Sequence, residues 1–214
     1  MSSWRFVLQP LREGNDSGSH VYAVDHPGDY EMLERIRVVS PRFKARIAGG
    51  LFLFGILTAA FTQFFVHGRL GFAADLVVGV IEISSMIAVT LLFYDLFRAV
   101  NRSLSLLAAS FNFVALTLEL FQFNPRGAMI GIGFHGFNCF LIGYLLFRSI
   151  FLPRILGAPM AFAGLGWLVF LSPTLTHFLS PYNLALGLLG EGSVSLWLFV
   201  MGVNVQRWKE QANA

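Results

Sequence analysis

The chain has 214 residues, 56% of them hydrophobic, with 23 Phe, 13% charged residues and a mean hydropathy of +0.66. That composition excludes an ordinary water-soluble domain and places the chain in lipid. The net charge of +3 is too small and too scattered for a nucleic-acid surface, and a single cysteine, Cys139, excludes an intrachain disulfide.

Residues 1–31 mix Pro10, Gly14, Asn15, Ser17, Gly18 and Ser19 with scattered charges and carry no apolar run long enough for a signal peptide. They read as the disordered part of an N-terminal tail that extends to residue 45. A helical crossing of a hydrocarbon core about 30 Å thick needs roughly 20 mostly apolar residues. Six such runs follow, near 47–66, 72–94, 104–123, 128–148, 155–177 and 183–204, within a membrane domain spanning 46–206 and ahead of a short tail at 207–214. Turn or charge signals separate them: HGR at 67–69, RAVNR at 98–102, NPRG at 124–127, RSIFLPR at 148–154 and SPYN at 180–183. Pro159 and Pro173 are the only prolines inside a run, and neither marks an evident break.

Basic residues fall at alternate ends of these runs. Arg35, Arg37, Arg42, Lys44 and Arg46, then Arg98 and Arg102, Arg148 and Arg154, and Arg207 and Lys209 make eleven on one side, against Arg69 and Arg126 on the other. Because positive charge is retained in the cytoplasm, the expected fold is an all-α six-helix transmembrane bundle with both termini cytoplasmic. The expected location is the cell inner membrane, with the lipid bilayer as partner and no nucleic acid. A weak internal echo, YDLFR at 94–98 and YLLFR at 144–148, closes the second and fourth helices, where Tyr and Arg anchor helix ends at the headgroups.

A helix rises about 1.5 Å per residue, so position converts to depth. The second helix carries Asp75 near its outer end and Glu82 two turns deeper, and the third repeats Ser105, Asn112 and Glu119 at seven, with Gln122 beyond. The fourth sets Gly131, His135 and Cys139 at spacing four, with Asn138 alongside, and the sixth sets Gly187, Glu191 and Ser195 likewise. Gln63, His67 and His177 end helices on the same side. Ionised side chains in hydrocarbon cost several kcal/mol unless paired, hydrated or protonated, so these groups are expected to face one another. The expected ligand pocket opens outward and is formed by Asp75, Glu82, Asn112, Glu119, His135, Asn138 and Glu191. Gly190 and Gly192 would admit a neighbouring helix beside Glu191.

Such a pocket suits binding or transport of a small ligand, a cation or a proton. The competing readings are interhelical hydrogen bonding in a structural or assembly subunit, and a metal-dependent membrane enzyme. No HExxH, no Glu-x-x-His and no histidine pair at i, i+4 occurs, so no metal and no cofactor is assigned and the reading inclines away from an enzyme. Oligomeric state is left open.

Several segments resemble one family: SPRFKARIAGGLF (40–52), GFAADLV (71–77), NRSLSLLAA (101–109), GYLLFRSIFLPRILG (143–157) and GEGSVSLWLFVMGVN (190–204). They are similar to the bacterial membrane proteins of domain-of-unknown-function family 4386, over most of the chain from Ser40 to Trp208. The resemblance implies a polytopic inner-membrane protein with no established activity. Members usually have a longer segment between the first two helices, and their fourth helix often bears a His where this chain has Asn138.

Overall fold

The computed structural model describes residues 40–61, 72–120 and 125–214, without the side chains of 72–76 and 125–128. The N-terminal tail to residue 39, the expected rim residues Gln63, His67 and Gln122, and the Asp75 side chain lie outside the described residues.

The described chain is all helix and turn: α1 (Pro41–Phe61), α2 (Phe72–Phe97), α3 (Arg102–Leu120), α4 (Pro125–Arg148), α5 (Gly157–Leu168), α6 (Pro173–Leu179), α7 (Tyr182–Val200) and α8 (Val205–Ala212). Six stretches are long and apolar enough to cross a membrane: Pro41–Phe61, Val77–Phe97, Arg102–Leu120, Met129–Arg148, Arg154–Leu171 and Tyr182–Val200. The protein is therefore a multi-pass helical membrane protein.

Short polar residues start α1 and α3 by satisfying amides that have no partner in the first turn. Ser40 Oγ accepts from Phe43 N–H at 3.3 Å, and Asn101 Oδ1 accepts from Leu104 N–H at 2.9 Å. At its other end α7 stops at Gly202, whose φ of +68° suits glycine and whose N–H donates to Leu198 O at 3.0 Å.

Three elements differ from the sequence reading. The expected continuous helix over 155–177 is broken: a 3-10 turn at Arg154–Leu156 leads into α5, a second at Val169–Leu171 ends it, and Ser172 is extended at φ −118°, ψ 107°. Pro173 has no N–H to donate back, so the helix stops and α6 starts afresh, with Ser172 Oγ accepting from Leu175 N–H at 3.5 Å. The first helix begins at Pro41, six residues ahead of the apolar run, because its basic side chains reach partners at the helix end. Lys44 Nζ and Arg98 Nη2 each lie 2.7 Å from the Asp95 carboxylate, and Arg46 Nη2 donates to Val200 O at 2.9 Å. Third, much of the expected C-terminal tail is the amphipathic helix α8, started by Asn204 Oδ1 accepting from Arg207 N–H at 3.1 Å. Trp208 ties it down by donating Nε1–H to Leu96 O at 2.9 Å.

The spanning helices close into a ring in which α1 packs on α2, α2 on α3, α3 on α4, α4 on α5, α5 on α7, and α7 back on α1. Small residues set the closest approach: a Cβ on Gly136 of α4 would stand 2.9 Å from Gly164 O of α5, so the two backbones touch. The ring's outward face is apolar and open, with Leu57, Leu106 and Leu189 60%, 55% and 70% exposed, which suits lipid. Inside, the end bearing Arg42, Arg98 and Arg148 is filled by Phe52, Phe93, Phe97 and Phe151. Phe52–Phe93 and Phe93–Phe97 meet edge to face at 5.6 and 5.8 Å. At this end the buried polar side chains are short hydroxyls such as Ser105 and Ser149, whereas buried Asn112 and Glu191 lie farther along the ring.

Candidate functional site

The polar centre is assembled from five helices and begins on α2. Thr90 Oγ1 donates to Met86 O one turn back at 2.7 Å, so it can only accept from Asn112 Nδ2 of α3, at 2.6 Å. With its amide nitrogen committed, Asn112 turns Oδ1 toward α4 and accepts from His135 Nδ1 at 2.8 Å. That contact places the imidazole proton on Nδ1 and presents Nε2 to the ring interior.

Nε2 faces Glu191 Oε1 of α7 at 2.9 Å. Cys139, one turn after His135 on α4, puts Sγ 3.4 Å from Nε2 and 3.3 Å from Oε1. Trp167 of α5 closes the group by donating Nε1–H to the same Oε1 at 2.5 Å. Glu191 and Cys139 are buried, at 3% and 0% exposure. The indole reaches Glu191 because Gly187, one turn earlier on α7, has no side chain: a Cβ there would overlap the Trp167 ring.

Further carboxylates surround the centre without bonding to it among the described residues. Half-buried Glu119 of α3 interacts electrostatically with both His135 and Glu191, and its Cγ packs against Gly131, one turn before His135. Glu82 of α2, also half-buried, interacts with Glu119 in turn. On the Phe side of Asn112 lies a cavity of about 20 Å³, room for one water molecule, lined in part by Thr90, Ser105, Asn112 and Asn138. Ser105 Oγ is buried there with no hydrogen-bond partner among the described residues.

Of the seven expected pocket residues, Asn112, His135 and Glu191 are in direct contact, and Glu119 and Glu82 continue outward from them by charge alone. Asn138 is on the cavity wall. Asp75 has no described side chain, and His177 sits exposed on α6. Gly190 does lie against a neighbouring helix, at Pro159 and Ala163 of α5, whereas a Cβ on Gly192 would have nothing within 4 Å among the described residues.

Three members of the centre were not among the expected pocket residues. Thr90 carries no charge and stands in an apolar run. Trp167 reads as a packing residue until the fold brings it to Glu191. Cys139 reads as an isolated thiol, yet His135 and Cys139 at i, i+4 are two side chains of metal-ligand type, a spacing that a search for paired histidines passes over.

Residues 113–202 match the family model described as Domain of unknown function (DUF4386), so the resemblance read from the sequence holds over this stretch. The match includes His135, Cys139, Trp167 and Glu191 and stops just short of Asn112. A protein of Archaeoglobus fulgidus described as "Uncharacterized protein" is 28% identical over 127 residues, covering 54% of this chain and 76% of that protein. No solved structure matches the chain.

Proposed function

We propose that this protein binds a small cation at a buried centre formed by His135, Glu191 and Cys139. One observation carries the reading. With Nδ1 committed as donor to Asn112, neutral His135 presents a lone pair from Nε2, and it meets an acceptor oxygen of Glu191 at 2.9 Å. Two acceptors at that distance repel unless a cation, either a proton or a metal ion, lies between them. The neighbouring carboxyl groups of Glu119 and Glu82 add oxygen acceptors beside the centre, which suit cations rather than anions.

The same reading includes an orientation. The positive-inside imbalance supports an orientation with the Arg42, Arg98 and Arg148 end, and both termini, on the cytoplasmic side of a cell inner membrane. The acidic side of the centre then faces outward.

The test is thermal unfolding of the purified chain against a panel of Na⁺, Ca²⁺, Mn²⁺, Zn²⁺ and a primary alkylammonium, for the parent and for Glu191→Gln. At least one cation should raise the parent's melting temperature, with apparent affinity reduced tenfold or more in Glu191→Gln. If no cation of the panel distinguishes the two proteins, a proton alone bridges His135 and Glu191, the centre is a packing network and the reading falls.

A further inference from the structure

We infer that the cation is a divalent transition metal of the zinc class, held by His135 Nε2, Cys139 Sγ and Glu191 Oε1; this rests on the cation-binding reading above. The three atoms belong to side chains of zinc-ligand type and all lie within 4.8 Å of one another. Their separations are 2.9 Å (N to O), 3.3 Å (O to S) and 3.4 Å (N to S). Tetrahedral zinc, with bonds of about 2.0–2.3 Å, places its ligands roughly 3.3–3.6 Å apart. The triangle thus matches in shape and is tight on each edge, most at the nitrogen–oxygen edge, by about 0.4 Å, and inserting the ion would open it.

A metal site needs its ligands oriented from behind, and that outer layer is built here. A ligating histidine ordinarily donates its other ring N–H to an oxygen, and His135 does so to Asn112, itself held by Thr90. A ligating carboxylate is ordinarily hydrogen-bonded too, and Trp167 supplies that bond to Glu191. Protein packing alone requires neither a thiol beside this pair nor a two-residue scaffold fixing the imidazole tautomer. The thiol decides the class of ion: hard Mg²⁺ and Ca²⁺ take oxygen ligands, whereas sulfur with imidazole suits zinc, or cobalt in its place. Three protein ligands leave a fourth position open, and Glu119 is the additional carboxylate in electrostatic reach of the centre.

The experiment strips the purified full chain with a chelator and titrates it with Zn²⁺ and, as a spectroscopic probe, Co²⁺. The expected result is one ion per chain and a thiolate-to-cobalt charge-transfer band in the near ultraviolet. Cys139→Ser should abolish that band and weaken Zn²⁺ at least tenfold, as should His135→Gln, with both variants checked for native helix content and a monodisperse elution profile. If His135→Gln does not fold, Cys139→Ser, a near-isosteric change, carries the test alone. Retention of parent zinc affinity in Cys139→Ser overturns the inference, as does a parent chain that takes up no zinc. Should Na⁺, Ca²⁺ or the alkylammonium still give a Glu191-dependent response while zinc is not bound, the cation reading survives and the metal assignment alone is lost.

Discussion

Trp167 Nε1 stands 2.5 Å from Glu191 Oε1 because Gly187 leaves the face of α7 bare beneath the indole. Gly187→Ala must displace the ring, break that hydrogen bond and strain the α5–α7 contact, at a cost of about 1–3 kcal/mol. Gly192→Ala on the same helix meets nothing within 4 Å among the described residues and should be neutral or stabilising, since alanine is the better helix former by about 0.5–1 kcal/mol. Unfolding of both variants in the same detergent checks the contrast. Equal effects would mean that α7 packs against α5 differently from the geometry described.

Thr90 and Ser105 are both buried hydroxyls, with opposite expectations. Thr90→Val removes the acceptor for Asn112 Nδ2 and frees that amide to turn away from His135, a loss of about 1–3 kcal/mol. It should also weaken cation binding, because the imidazole loses its fixed orientation. Ser105→Ala removes a hydroxyl that has no partner among the described residues and should leave stability unchanged or improved. A Thr90→Val variant with parent stability and parent cation response would remove Asn112 from the scaffold.

Breaking the His135–Glu191 contact from one side strands the other group in the ring interior. Glu191→Ala is expected to cost about 3–5 kcal/mol, the range for removing one member of a buried ion pair, in the absence of added cations. Replacing both residues by Leu should recover much of that loss, since apolar pairs of similar volume often equal buried polar ones. A double-mutant cycle by chemical denaturation measures the coupling, and a coupling near zero would mean that the two groups do not depend on each other.

At the basic end, the Asp95 carboxylate holds Lys44 of α1 and Arg98 of α2, all three partly exposed. Water and headgroups screen such pairs, so Asp95→Asn should change stability by under about 1 kcal/mol. The same surface reports orientation. Cysteines introduced at Ser103 and Phe178 of a Cys139→Ala background should react with membrane-impermeant maleimide from the cytoplasmic and outer faces respectively. Labelling of both from the same face would overturn the six-span arrangement, and reversed labelling would overturn the orientation.

Much of the architecture was legible in the chain itself, because hydrocarbon imposes a length on every crossing. A run of about 20 apolar residues bounded by Arg, Gly or Pro can hardly be anything other than a spanning helix, and all six runs are represented by spanning stretches. The rule that polar groups in lipid must turn toward one another selects seven residues for one pocket, of which hydrogen bonds among the described residues join Asn112, His135 and Glu191. Helix ends were less legible: basic side chains extend α1 to Pro41, and Ser172–Pro173 divides the fifth span, through capping and hydrogen-bond partners that apolarity does not encode. Only the closed ring could decide which polar groups touch. Helical periodicity assigns a residue to a face but not to a neighbour, so it could not say that Trp167 meets Glu191, that Thr90 orients Asn112, or that Cys139 completes a triangle with His135 and Glu191. Those contacts depend on side-chain rotamers and on the few ångströms of approach that Gly136, Gly164 and Gly187 allow, and both are set by packing between helices distant in sequence.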